Sequence, residues 1–308
     1  MSESPRVAVL LPCLNEEAAI ADVIRRARES LPSAVIYVYD NGSTDETMRR
    51  AVSAGAVVRQ ELRRGKGNVV RRMFADVEAD VYVLLDGDGT YEVEAAPAMV
   101  SLLSQRQLDL VTGNRIEELS SQLAYRSGHR LGNRVFTFAL RKIFNSQCED
   151  VLSGFRVMSR RFVKSFPTSS RGFEIEVEMT AHASLLMVAT EEFKTKYVER
   201  PANSQSKLNT YRDGVRIARA LFQIFRSFSP SRFFGSLSLT ALLCSILSFL
   251  SSFSDGSSGT STSVIVALMF LILSLMLLSV GIILNALSRL RRENLRLAYL
   301  SVPLWPIS

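Results

Sequence analysis

The sequence predicts an α/β domain built on a mainly parallel sheet, followed by a juxtamembrane helix and a hairpin of two membrane-spanning helices. Three observations carry this. Residues 6–112 alternate short apolar runs with helical stretches, a polar cluster follows each of several runs, and the window Phe233 to Ser288 holds no Lys or Arg and one acid, Asp255. With 47% hydrophobic and 22% charged residues, the 308-residue chain is neither disordered, collagenous nor a coiled coil.

The first run, Arg6 to Leu11, reads as a strand, and so do Ala34 to Tyr39, Ala56 to Arg59, Val81 to Leu85 and Leu108 to Thr112. Between them Glu16 to Ser30, Asp45 to Ala54, Asn68 to Ala75 and Val93 to Gln105 read as helices. Strands apolar at consecutive positions and joined by single helices indicate a parallel sheet covered on both faces. Ligands of such sheets bind beyond the carboxyl ends of the strands.

Phe233 to Phe253 and Val264 to Leu287 contain 21 and 24 residues. Each is long enough, at ~1.5 Å per residue, to cross a hydrocarbon core of ~30 Å. Their connector is rich in Gly and Ser, whereas both outer flanks carry Arg: five against one Asp in 212–232, and four against one Glu from Arg289 onward. These flanks hold nearly all of the net charge of +7. The positive-inside rule therefore puts both flanks in the cytoplasm, and anionic lipid is a better partner for the charge than nucleic acid. Val215, Ala218, Phe222 and Phe225, interleaved with Arg216, Arg219 and Arg226, suit a helix in the headgroup layer or one packed on the soluble domain. The expected organisation is a domain over 1–211, an amphipathic segment over 212–232, a hairpin over 233–288 and a basic tail over 289–308. Cys13, Cys148 and Cys244, with only two His, have no zinc-site spacing.

Three polar clusters lie at the expected ligand edge. In Pro12-Cys13-Leu14-Asn15-Glu16-Glu17, Asn15 taken alone reads as a cap for the next helix, and in Asp40-Asn41-Gly42-Ser43-Thr44-Asp45, Ser43 or Thr44 does. The third, Asp86-Gly87-Asp88-Gly89, sets two carboxylates two residues apart at a strand end, where they repel unless a cation or hydrogen-bond donors neutralise them. Hard oxygen ligands suit Mg²⁺ or Mn²⁺, completed by diphosphate and water. An EF-hand starting at Asp86 fails, because Tyr91 and Pro97 stand where Gly and Glu are required. Gly65-Lys66-Gly67 leaves Lys66 as either a phosphate contact or a solvated residue at a helix start.

Together these motifs, in this order and spacing, resemble the family 2 glycosyltransferases of GT-A fold. Thr112-Gly113-Asn114-Arg115, Ser153-Gly154-Phe155-Arg156 and Arg200 to Lys207 are similar to the dolichyl-phosphate mannose synthase and polyprenyl-phosphate glycosyltransferase branch. The resemblance implies that Pro12, Leu14, Glu16 and Asp40 hold the nucleoside, that Asp86, Gly87 and Asp88 hold metal and diphosphate, and that Arg200 and Lys207 contact the donor phosphates. Asp88, Arg115 and Arg130 are then the catalytic candidates, the two arginines placing an acceptor phosphate. Leu14 replaces a usual aromatic, Asn41 a second Asp, and the Arg200 to Lys207 segment is one residue longer than usual.

A lipid phosphate is largely dianionic at pH 7, so it needs cations rather than a general base, and the run Arg115, Arg126, His129, Arg130 and Arg134 offers them or forms a solvated helix face. Arg156 reads equally as lining the site or pairing with an acid, and Glu178 as supporting a site Arg or as a solvated or salt-bridged acid. The implied activity is inverting transfer of a sugar from a UDP- or GDP-linked donor to a polyprenyl phosphate, dolichyl or undecaprenyl, at the cytoplasmic face of the cell membrane. A homo-oligomer is compatible with it. The alternatives are a same-fold transferase to a lipid or glycan hydroxyl, a non-catalytic nucleotide-binding scaffold at the membrane, and a nucleotidyltransferase.

Overall fold

The computed structural model describes residues 5–116, 149–167, 170–198, 219, 222, 226, 230–253 and 260–303. It falls into two compact units, Met1–Leu221 with Leu295–Ser308, and Phe222–Asn294.

In the first unit, β1 (Val7–Cys13), β2 (Val35–Asp40), β3 (Val57–Gln60), β4 (Val81–Leu84), β5 (Leu110–Ile116), β6 (Arg156–Ser159) and β7 (Thr190–Lys196) form one sheet in the order β3-β2-β1-β4-β6-β5-β7. Strands β1 to β4 are mutually parallel, as the sequence predicts. Strand β6 enters antiparallel between β4 and β5, and β7 extends the edge parallel to β5. Helices α1 (Ile20–Ser30), α2 (Thr47–Ser53), α3 (Lys66–Asp76), α4 (Ala96–Gln105), α5 (Arg160–Ser165) and α6 (Ile175–Leu186) cover it.

The consecutive apolar residues of the strands feed two cores, because side chains alternate between faces. Val7, Val9 and Leu11 of β1 meet Val23 and Ile24 of α1 and Met99 of α4 on one face. On the other, Ala8 and Leu10 meet Val70 and Met73 of α3, Phe162 of α5 and Met179 of α6. The two-sided cover forces β1 and β4 to be apolar throughout.

Two expected helix starts are corrected. Helix α1 begins at Ile20 rather than Glu16, because Asn15 takes a left-handed backbone (φ 52°) and the Glu16 carbonyl accepts from the amides of Ala19 and Ile20 in a separate turn. Asn15 caps nothing. Its Oδ1 accepts from the Thr44 amide at 2.8 Å and its own amide donates to Ser43 Oγ at 2.8 Å, tying the first two polar clusters together. Neither Ser43 nor Thr44 caps α2; Asp45 accepts from the Thr47 amide at 3.0 Å and from the Thr47 hydroxyl.

The second unit pairs α7 (Pro230–Ser251) with α8, a 42-residue helix over Thr260–Ser301. Ser238 Oγ donates to the Ser274 carbonyl at 2.9 Å and Ser245 Oγ to the Ala267 carbonyl at 2.8 Å. Partners that descend along α8 as they ascend along α7 make the two helices antiparallel, and the heptad step keeps the small residues on one seam. Gly281 lies on the same seam, where an added Cβ would meet Phe234 Cβ at 3.0 Å. The outward faces are apolar: the most hydrophobic stretches reach mean hydropathy 2.0 and 2.8 with 17% of each buried. Most of 212–232, expected as an amphipathic segment, lies outside the described residues.

The segment expected as a basic tail is helical as far as Ser301, because α8 continues through it. No Gly or Pro interrupts 288–302, and Pro303 follows the helix end. Its last turns belong to the first unit, where the Tyr299 hydroxyl donates to Asp109 Oδ2 at 2.8 Å and the Arg161 guanidinium stacks 4.7 Å above the Tyr299 ring.

Candidate active site

The parallel register brings the first and second polar clusters level, Pro12 beside Tyr39 and Cys13 beside Asp40, at the carboxyl ends of β1 and β2. The Asp86-Gly87-Asp88 turn leaves the next strand over, β4, and Gly87 packs so closely on Cys13 that an added Cβ would stand 2.5 Å from Cys13 Sγ. Burial, and then the charges of Glu16, Asp40, Asp86 and Asp88, push the Cys13 thiol well up. The buried thiol therefore stays neutral.

The two acids of the third cluster differ in environment. Asp88 is buried, and its Oδ1 accepts from the Thr90 amide at 3.1 Å and the Thr90 hydroxyl at 2.6 Å. Asp86 is 27% exposed and pairs with Lys66, whose Nζ lies 2.5 Å from Asp86 Oδ1 and 2.6 Å from Glu176 Oε1. Lys66 is therefore no solvated helix start. Burial opposes its charge, but Asp86 and Glu176 outweigh it and hold the ammonium well above the ordinary lysine value. Burial raises the Glu176 carboxyl despite the lysine.

Three glycines make this contact possible. An added Cβ would meet the Arg171 carbonyl oxygen at 2.0 Å from Gly65, and the Ser170 carbonyl oxygen at 2.4 Å from Gly67. These bare backbones let the chain entering α6 press on the start of α3 and bring Glu176 to Lys66. Gly154 does the same at β4, where an added Cβ would lie 2.7 Å from Asp86 Oδ2. Arg156 supports that turn from within: it is fully buried and donates to the carbonyls of Ser153 at 3.0 Å and Val151 at 2.8 Å, and to Thr180 Oγ1 at 3.0 Å. Its guanidinium holds a backbone loop.

The remaining predicted residues divide clearly. Pro12 and Leu14 are half-buried on the same edge, and Glu16 is buried there, its amide donating to Thr47 Oγ1 at 2.8 Å. Asp40 is fully buried and closes its own turn, accepting from the amides of Gly42 and Ser43 at 2.9 Å each and from the Ser43 hydroxyl. Asn41 donates to the carbonyls of Glu61 and Arg63 at 2.9 Å each and accepts from the Gly65 amide at 2.6 Å. An Asp there would lack the two donors, which accounts for the amide. Arg115 forks onto Asp150 at 2.6 and 2.8 Å and lies 5.4 Å over the Tyr197 ring. Burial works against the Asp150 carboxylate, yet Arg115 keeps its pKa below the ordinary value. Glu178 accepts from the Ser170 amide at 3.0 Å. Arg126, His129, Arg130, Arg134, Arg200 and Lys207 lie outside the described residues.

Sequence reasoning missed Glu176. Of this acidic run only Glu178 stood out, whereas Glu176 lies beside Ile175, Val177 and Met179, all buried on a helix, and an acid in such a helix requires a cationic partner. His182 is a core residue between the rings of Phe162 and Phe166, with its pKa lowered by burial to about 4.

Among the described residues no three His, Cys, Asp or Glu side chains form a metal-binding group. Two hard carboxylates from one turn nonetheless fit a divalent ion whose remaining ligands come from a diphosphate and water.

The sequence model described as Glycosyl transferase family 2 matches residues 8–166. The chain is 35% identical over 232 residues to glycosyltransferase AglJ of Haloferax volcanii, covering 75% of this chain and 76% of that one. It is 51% identical over 130 residues to protein RfbJ of Shigella flexneri, 42% of this chain and all of that one. Glucosyl-3-phosphoglycerate synthase from Mycobacterium tuberculosis, solved with Mn²⁺ and UDP-glucose, superposes with TM-score 0.58 at 24% identity over 73% of this chain and 79% of that chain. The sheet with its acidic edge, the matched segment and the AglJ relationship lead to one conclusion: this chain belongs to glycosyltransferase family 2 and has the GT-A fold.

Proposed function

We propose that this chain is a membrane-held, metal-dependent glycosyltransferase that moves a sugar from a nucleotide sugar to a polyprenyl phosphate and inverts the anomeric centre. The observation that carries the reading is the acidic turn Asp86-Gly87-Asp88 at the end of β4, in a chain that also holds two long helices with apolar outer faces. Such faces are stable in lipid and costly in water. The structural neighbour solved with Mn²⁺ and UDP-glucose supports a divalent ion and a uridine donor. Low-salt glycan biosynthesis hexosyltransferase Agl6 of Haloferax volcanii, 29% identical over 220 residues, supports hexose transfer.

In this reading 1–211 is the catalytic domain, 212–232 an interfacial segment and 233–288 a hairpin with both ends in the cytoplasm. Asp86 and Asp88 would hold Mg²⁺ or Mn²⁺, which when bound neutralises the diphosphate leaving group. The Thr90 hydrogen bonds fix Asp88 in orientation. Pro12, Leu14, Glu16 and Asp40 shape the nucleoside side, Asp40 through the turn that it closes. Arg200 and Lys207 take the donor phosphates. Arg115, held by Asp150, and Arg130 draw in the acceptor phosphate, whose own oxygen attacks the sugar carbon without a general base.

A second reading, transfer to a small phosphorylated acid, is favoured by the glucosyl-3-phosphoglycerate synthase neighbours, one solved with phosphoglyceric acid at TM-score 0.60. An acceptor panel of polyprenyl phosphate, free polyprenol and 3-phosphoglycerate, with labelled UDP-glucose and GDP-mannose, separates them. Label moves to polyprenyl phosphate alone in the proposed reading; preference for 3-phosphoglycerate or polyprenol overturns it.

A further inference from the structure

Lys66 stands where the proposed reaction also requires a divalent ion. It bridges two carboxylates of unlike position, Asp86 on the sheet edge and Glu176 in the first turn of α6, with its side chain 10% exposed and that of Glu176 5% exposed. The ammonium is further confined by Phe173, whose ring centroid is 5.8 Å away, and by Gly154, where an added Cβ would stand 3.1 Å from Nζ. It therefore has little freedom to swing aside while Glu176 holds it. A divalent ion arriving alone at Asp86 meets this ammonium on the same carboxylate, and like charges at that range and burial repel strongly. An arriving diphosphate removes the conflict, since its oxygens attract both cations.

We propose that Lys66, anchored by Glu176, is the resident counter-cation of the Asp86–Asp88 turn: it disfavours metal binding without nucleotide and so couples the entry of metal to that of the diphosphate. The inference rests on the metal reading given above and adds a positioning role for two residues. Glu176 sets the strength of the coupling, because it fixes the lysine beside Asp86.

The test is a titration of the full-length chain in detergent with Mn²⁺, free Mn²⁺ being read by electron paramagnetic resonance, without nucleotide and with UDP or GDP. Lys66→Met is expected to tighten nucleotide-free Mn²⁺ binding at least tenfold and to shrink the enhancement by nucleotide accordingly, because coupling between two ligands is reciprocal. Lys66→Arg keeps the charge and gives no tightening. Glu176→Gln keeps the lysine but loosens its anchor, and it shrinks the enhancement by nucleotide, though less than Lys66→Met does. The proposal is overturned if folded Lys66→Met binds Mn²⁺ alone no better than wild type while still binding it with nucleotide. Should Lys66→Met fail to fold, wild-type Mn²⁺ binding as tight without nucleotide as with it overturns it instead. If wild type binds no Mn²⁺ even with nucleotide, the metal reading itself is wrong.

Discussion

Gly154→Ala is a one-atom probe of the site. Gly154 does not have a positive φ, so Ala is permitted by the backbone and any effect comes from contact alone. The new methyl would stand 2.7 Å from Asp86 Oδ2, 3.1 Å from Lys66 Nζ and 3.2 Å from Asp86 Cγ, and the first of these cannot persist. The carboxylate is the movable partner, and moving it strains the Lys66 pair at 2.5 Å. Overpacking of this kind costs about 1–3 kcal/mol. If the displaced Asp86 is what holds the donor, a loss of that size in transition-state binding lowers kcat/KM by roughly 5- to 150-fold. Thermal unfolding would fall by roughly 2–12 °C in a domain of this size. The assay is sugar transfer from labelled nucleotide sugar, alongside a melting curve. Wild-type kcat/KM in a folded Gly154→Ala protein would refute the placement of Asp86 in the donor site.

Other expectations follow from single contacts. Asn41→Asp removes the donors to the carbonyls of Glu61 and Arg63 and should cost about 1–3 kcal/mol, read as a lower Tm and faster tryptic cleavage at Arg63 and Arg64. His182 has its folded pKa lowered by burial to about 4, below the unfolded value of about 6.5. The unfolded chain therefore takes up the proton first, and stability is lost as pH falls from about 6.5 towards 4, by up to about 3 kcal/mol. Tm measured between pH 7 and 5 should drop less in His182→Phe than in wild type; equal drops would contradict a neutral core imidazole. Tyr299→Phe deletes the hydrogen bond to Asp109 and should speed tryptic cleavage after Arg296 while lowering Tm only slightly.

Much of this architecture could be read from residues 6–112, for a physical reason. Parallel strands covered on both faces are apolar at successive positions, and their carboxyl ends must then change abruptly to polar turns, as after Cys13, Asp40 and Leu84. The antiparallel β6 was hidden because it opens on a buried Arg, and its neighbours β4 and β5 are distant in sequence. Caps misled where side chains bond across loops: Asn15 and Ser43 serve each other's clusters, a pairing that depends on β1 and β2 lying side by side. The role of Lys66 was equally non-local. Gly65 and Gly67 admit a close backbone approach, and the approaching chain, residues 170–171, is about a hundred positions away. The reach of α8 was legible only in the absence of Gly and Pro up to Pro303, a signal outweighed by the basic residues over 289–296.

The central claim is that the acidic turn after β4 serves transfer of sugar to a lipid phosphate. It is tested most directly by incubating the detergent-purified chain with labelled nucleotide sugar, Mn²⁺ and polyprenyl phosphate, and counting label in the chloroform phase. Wild type should label the lipid and lose that label when Mn²⁺ is chelated, and Asp88→Ala should reduce it to background with the protein still folded. Lipid labelling by Asp88→Ala at the wild-type rate would contradict the account.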